Sequence, residues 1–109
     1  MHVVITRPID DSLELIKNLK IVNHTVTHLP LINIKKIFHK KIDFHNYKGI
    51  IFTSSNAVKF LDTKNIPKNI HCFCVGEATE KKAKSFGFYN AISAGGNVDA
   101  LTELIIRTF

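Results

Sequence analysis

The run Gly49-Ile50-Ile51-Phe52-Thr53 constrains this chain more than any other feature. It is continuously apolar and rich in β-branched residues, the pattern of a strand buried on both faces in a parallel sheet. Ile70 to Val75 repeats it, and shorter runs of the same kind occur at Val3-Val4-Ile5-Thr6 and Ala91-Ile92-Ser93. Helical patterns separate these runs. Parallel strands need crossover connections of that length, so the alternation predicts an α/β layered fold with a mostly parallel sheet and right-handed crossovers.

The spacing predicts a first helix over Asp11 to Lys20, with Asp11 and Glu14 at capping-box positions and Leu13, Leu15, Ile16 and Leu19 as its apolar face. Thr25 to Ile34 reads as a second strand with Pro30 at an edge or bend. Lys35 to Tyr47 is irregular and reads as a connector with some helix. Ser54 or Ser55 caps a helix carrying Ala57, Val58, Phe60 and Leu61. Gly76 opens the next helix, with Ala78, Thr79, Ala83 and Phe86 on one side and Gly87 where a left-handed cap would close it. Gly95-Gly96-Asn97 then turns into a last helix with Leu101, Leu104 and Ile105 inside.

Composition narrows the class. The chain has 109 residues, 45% hydrophobic and 22% charged, which suits a globular domain and excludes disordered and collagen-like classes. No apolar run approaches the ~20 residues that cross a bilayer, so no membrane partner is expected. Arg7, Asp10 and Asp11 interrupt the N-terminus where a signal peptide would be apolar, and a cytoplasmic location is the expectation. Cys72 and Cys74 sit two apart in an apolar run, on one face of a strand with awkward disulfide geometry, and read as buried free thiols. The net charge of +6 raises nucleic acid as a partner, but 13 of the 15 basic residues are Lys rather than the guanidinium that reads phosphates and bases bidentately. With Ile and Asn also abundant, a compositional bias explains the charge, and no nucleic-acid partner is expected. A positive surface would still attract a polyanionic small molecule.

In open α/β sheets the ligand sits beyond the carboxyl ends of the strands. Those positions here are Thr6-Arg7-Pro8, Thr53-Ser54-Ser55-Asn56, Gly76-Glu77-Ala78-Thr79 and Gly95-Gly96-Asn97. They are rich in hydroxyls, amides and glycine, and three of the four turns run into helix N-termini, which favour anions. Each residue has a plainer role as well: Ser54, Ser55 and Asn97 as helix caps, Gly76 and Gly96 as turn formers, Arg7 as the partner of a nearby carboxylate. Their coincidence on one sheet edge is what points to a ligand. No nucleotide-binding glycine motif occurs, and the six histidines and two cysteines form no metal-ligand set, so no metal is expected.

Val3-Val4-Ile5-Thr6-Arg7-Pro8, Leu29-Pro30-Leu31-Ile32, Ile51-Phe52-Thr53-Ser54-Ser55-Asn56-Ala57-Val58 and Val75-Gly76-Glu77-Ala78-Thr79, in that order and spacing, resemble the uroporphyrinogen-III synthase family. Gly87-Phe88 and Ala94-Gly95-Gly96-Asn97-Val98-Asp99-Ala100-Leu101 add to the likeness. The resemblance implies a flavodoxin-like parallel sheet flanked by helices, as part of a two-lobed fold. It also implies a cofactor-free lyase of porphyrin and heme biosynthesis that cyclises hydroxymethylbilane to uroporphyrinogen III, with loss of water and inversion of ring D. Its substrate is a linear tetrapyrrole polycarboxylate. By motif match Thr79 is the catalytic candidate, and Arg7, Ser54, Ser55, Asn56, Gly76, Glu77, Gly96 and Asn97 are substrate-binding candidates.

The resemblance assigns residues 1–34 to the start of the first lobe and 35–109 to the first half of the second. The family's later tyrosine and threonine motifs have no counterpart, since Tyr47 and Tyr89 do not match them. Two arrangements follow: one compact five-stranded domain over 1–109, slightly favoured, or half-lobes that self-associate through unpaired strand edges. The alternative function is a non-catalytic tetrapyrrole- or anion-binding α/β domain.

Overall fold

A computed structural model describes all 109 residues. The chain has parallel strands in two small sheets, flanked by helices, and divides into a unit of Met1–Lys35 and a unit of Lys36–Phe109. The five strands do not join one sheet, which corrects the favoured arrangement. Strand periodicity fixes which residues are extended but carries no information on which strands become neighbours.

In the first unit, β1 (His2–Ile5) and β2 (Thr25–His28) pair in parallel through α1 (Leu13–Ile21). Strand β2 ends six residues earlier than the expected Ile34. Pairing persists only in part, with the Leu29 and Leu31 amides donating to Ile5 and Thr6 carbonyls at 2.8 and 3.1 Å, because Pro30 between them has no N–H to give. Helix α1 begins at Leu13, not Asp11, because a 3-10 turn over Ile9–Asp11 takes up the first residues and places Ser12 at the cap. The Ser12 hydroxyl donates back to the Pro8 carbonyl at 2.9 Å and closes that turn. The helix stops in a Schellman motif: Asn23 adopts a left-handed φ of 64°, its amide donates to Lys20 and that of His24 to Leu19. Of the expected apolar face, Ile16 and Leu19 are half-buried while Leu13 and Leu15 stand exposed. Only Ile5 and Ser12 are buried in this unit.

The second unit holds the larger core. Strands β3 (Gly49–Phe52), β4 (His71–Cys74) and β5 (Ala91–Ser93) form a parallel sheet in the order β3-β4-β5. One face presents Phe52, Cys72, Cys74 and Ala91 to the helices α2 (Ser55–Phe60) and α3 (Glu77–Ser85), which contribute Val58 and Ala83. Phe88 and Ile66 complete that cluster from the loops, with the Phe88 ring 6.3 Å from that of Phe52. Gly87 closes α3 as expected: at φ 95° it lets its own amide donate to Lys84 and that of Phe88 to Ala83, which brings Phe88 onto Ala83. The opposite face carries Phe73, 2% exposed, against the ring of Phe109 at the end of α4 (Val98–Thr108) and the ring of His71. The stretch 35–47 contains a single 3-10 turn, Phe44–Asn46, capped by Asp43. No helix is long and apolar enough to cross a membrane.

Candidate functional site

Register builds the site. Phe52 pairs with Cys74 and Cys74 with Ser93, so the carboxyl ends of β3, β4 and β5 stand in one row. Strands lie roughly 4.8 Å apart, which brings the three following loops within about 10 Å of each other. Backbone bonds extend the row beyond the strands. The Val75 amide donates to Phe52, the Ala94 amide to Cys74, and the Gly96 amide to the Val75 carbonyl at 2.6 Å. The last of these ties the β5–α4 loop to the β4–α3 loop.

Each loop ends as a helix N-terminus, and each is capped differently. Ser54 caps α2, its hydroxyl oxygen accepting from the Asn56 amide at 3.1 Å. Asn97 caps α4, its side-chain oxygen accepting from the Ala100 amide at 2.7 Å. Gly76 caps α3 with no side chain to accept from the helix. Its backbone, at φ −130°, is extended and open to any residue, and a Cβ there would meet nothing within 4 Å. The turn therefore does not require this glycine. What its hydrogen side chain achieves is an unobstructed approach to the first amides of a nine-residue helix. Gly95 and Gly96 differ, at φ 82° and 102°, where an L side chain is strained, so the turn itself selects them.

The placement of the candidates follows. Ser54, Ser55, Asn56, Gly76, Glu77, Gly96 and Asn97 gather on the rim of the second unit's sheet, with Glu77, Gly96 and Asn97 exposed and the other four half-buried. Arg7 belongs to the first unit, where it follows β1 and its carbonyl meets the His28 ring nitrogen at 2.7 Å. Thr79 is 6% exposed, on the inward side of α3 one turn before the buried Ala83. Its position is third in the helix, at the rim but turned toward the sheet.

The first turn of α3 carries an acid that the sequence reading passed over. Glu80 accepts from Lys84 Nζ at 2.8 Å, and hydrogen bonds from Lys84 and then from Ser93 hold its carboxyl below the ordinary range. The signal was the i,i+4 Glu–Lys spacing, which reads equally as an ordinary solvated pair. Beneath the rim, Cys72 and Cys74 are free thiols in the core, pushed up to about 12 and about 11, chiefly by burial. They stay protonated and serve packing. The cavities of the second unit, about 310 and about 520 Å³, lie away from the rim, among Phe44, Tyr47, Pro67 and Ile70 and among Ile37, Ile42 and Ile66.

Parallel strands in small sheets flanked by helices, with helix N-termini along one edge, define the class: an α/β protein of the flavodoxin-like type. The family model for uroporphyrinogen-III synthase HemD matches residues 14–108, and the chain belongs to that family. The match includes every candidate site residue except Arg7. Comparison with curated proteins and with solved structures found no match.

Proposed function

We propose that this chain acts on hydroxymethylbilane, holding the linear tetrapyrrole on the β3–β5 rim while its hydroxyl leaves as water and the ring closes with ring D inverted. Family membership across residues 14–108 carries the reading. The chemistry of the rim supports it. The substrate is a chain of pyrroles bearing acetates and propionates, and N-terminal helix amides favour such anions. A net charge of +6 raises the rate at which a polyanion is captured.

The roles divide by chemistry. Ser54, Ser55 and Asn56 donate to one carboxylate, Gly76 leaves the α3 amides open to a second, and Gly96 with Asn97 presents a third donor group. Glu77, exposed in the first turn of α3, accepts from a pyrrole N–H. Loss of the hydroxyl breaks a C–O bond as the pyrrole nitrogen pushes electrons toward that carbon, so a hydrogen bond to the leaving oxygen lowers the barrier. Thr79 is the donor for that position or for a carboxylate beside it.

A second reading is a tetrapyrrole- or anion-binding domain without turnover. The inward placement of Thr79, 6% exposed, favours it. Incubating hydroxymethylbilane with the protein and resolving the uroporphyrin isomers after oxidation separates the two. Type III above the spontaneous background supports catalysis. Type I alone with saturable binding supports the binding domain, and type I alone without binding refutes both.

A further inference from the structure

The larger cavity of the second unit lies away from the rim and takes no part in the reading above. Residues 36–43 have no regular secondary structure and run past the loop that follows α2, leaving about 520 Å³ between them. Ile37, Ile42, Phe44 and Ile66 give the cavity an apolar wall, and Lys36 and Lys41, both exposed, line it as well. Phe38 also borders it and is 98% exposed, the most exposed large apolar side chain in the chain.

Charge selects the occupant. Asp43 is the one acid between residues 35 and 48, and its carboxylate already accepts from the His45 amide and the Asn46 side chain. Asp62, on the opposite wall, accepts from the Lys64 amide at 3.2 Å. Two lysines therefore face one engaged aspartate, and the cavity has an apolar interior beside a cationic margin. Its volume falls within the roughly 300–1,000 Å³ of small-molecule sites. We propose that it binds a soluble amphipathic carboxylate, with the apolar body against Ile37, Ile42 and Ile66 and the carboxylate between Lys36 and Lys41.

The test uses 1-anilinonaphthalene-8-sulfonate, an aromatic anion whose fluorescence rises in apolar sites, displaced by decanoate or by decanol. The expected result is saturable binding at one site, with decanoate displacing the probe at least about tenfold better than decanol. K36E/K41E should weaken decanoate roughly fivefold or more, and F38A at least about twofold, while Glu103→Gln, exposed on α4, leaves it unchanged. The substituted residues at this cavity are exposed, so far-UV circular dichroism and the urea midpoint should match wild type. Equal displacement by decanol, or indifference to the charge reversal, overturns the proposal. So does co-sedimentation with phosphatidylglycerol vesicles in the absence of any displacement by monomeric decanoate.

Discussion

Gly49→Ala puts the packing beneath the rim under a defined load. A Cβ at Gly49 would lie 2.9 Å from Phe73 Cε2 and 3.3 Å from the His71 carbonyl oxygen. Carbon pairs rest at about 3.5–4.0 Å, so the Phe73 ring has to retreat by roughly 0.6 Å or more. It has little room, being 2% exposed, stacked on His71 with centroids 6.0 Å apart and edge-on to Phe109 at 5.8 Å. Overpacking of this kind costs about 1–3 kcal/mol, and the smaller backbone entropy of Ala in the unfolded chain returns about 0.4–1 kcal/mol. The net expectation is a loss of about 1–2 kcal/mol, read as a lower urea midpoint at unchanged slope by far-UV circular dichroism. Phe73→Leu removes the obstructing edge of the ring at its own cavity cost. The double variant should then be more stable than the sum of the singles by about 1 kcal/mol. A Gly49→Ala protein as stable as wild type, or strictly additive effects, would refute the reasoning.

Asn97→Ala removes the acceptor for the Ala100 amide and should cost about 1 kcal/mol in urea melts, while Asn97→Asp keeps the cap and stays near wild type. Gly96→Ala, forced to φ 102°, should cost more than about 1 kcal/mol, whereas Gly76→Ser gains a cap, raises the midpoint slightly and weakens tetrapyrrole binding by covering the α3 amides. Because the folded thiols sit at about 12 and about 11 against an ordinary 9.0, folding favours their protonated form, and the stability this gives is whole below pH 9 and lost as pH rises toward 11–12. A Cys72→Ala/Cys74→Ala protein, compared with wild type at pH 8 and 10, should show the smaller fall in urea midpoint. Glu80 is held below its ordinary 4.5, so its contribution is present above that pH and fades as pH falls below it; Lys84→Met should flatten this acid limb, modestly because Lys84 is 52% exposed.

Where local chemistry decides the structure, the sequence was legible. The apolar runs at 49–53 and 70–75 could be little but parallel strands, though β3 is covered on one face only, with Ile51 55% exposed on the other, and Gly87 and Asn97 carry their cap geometry in their identity. The rim followed from those strands, since parallel connectivity alone sends the residues after each strand to the same edge. Long-range pairing was not legible: nothing in the periodicity of Thr25–His28 says that it pairs only with β1. Helix α1 started late because the turn closed by Ser12 and Pro8 competes with an Asp11 cap, two local options of similar strength. The inward side of α3 was legible for Thr79 and Ala83, both buried, but not for Ala78 and Phe86, which share that expected side and stand exposed. The cavity at 36–44 was written as Ile and Phe among lysines, a pattern that a solvated connector shares.

The central claim is that a polycarboxylate tetrapyrrole seats on the β3–β5 rim. A backbone amide ¹H–¹⁵N titration with a non-cyclising bilane carrying the same acetates and propionates tests it most directly. Saturable shifts centred on residues 53–56, 76–79 and 95–97 are the result that the account predicts. Shifts confined to residues 36–48 and 62–70, or none at saturating bilane, would contradict it.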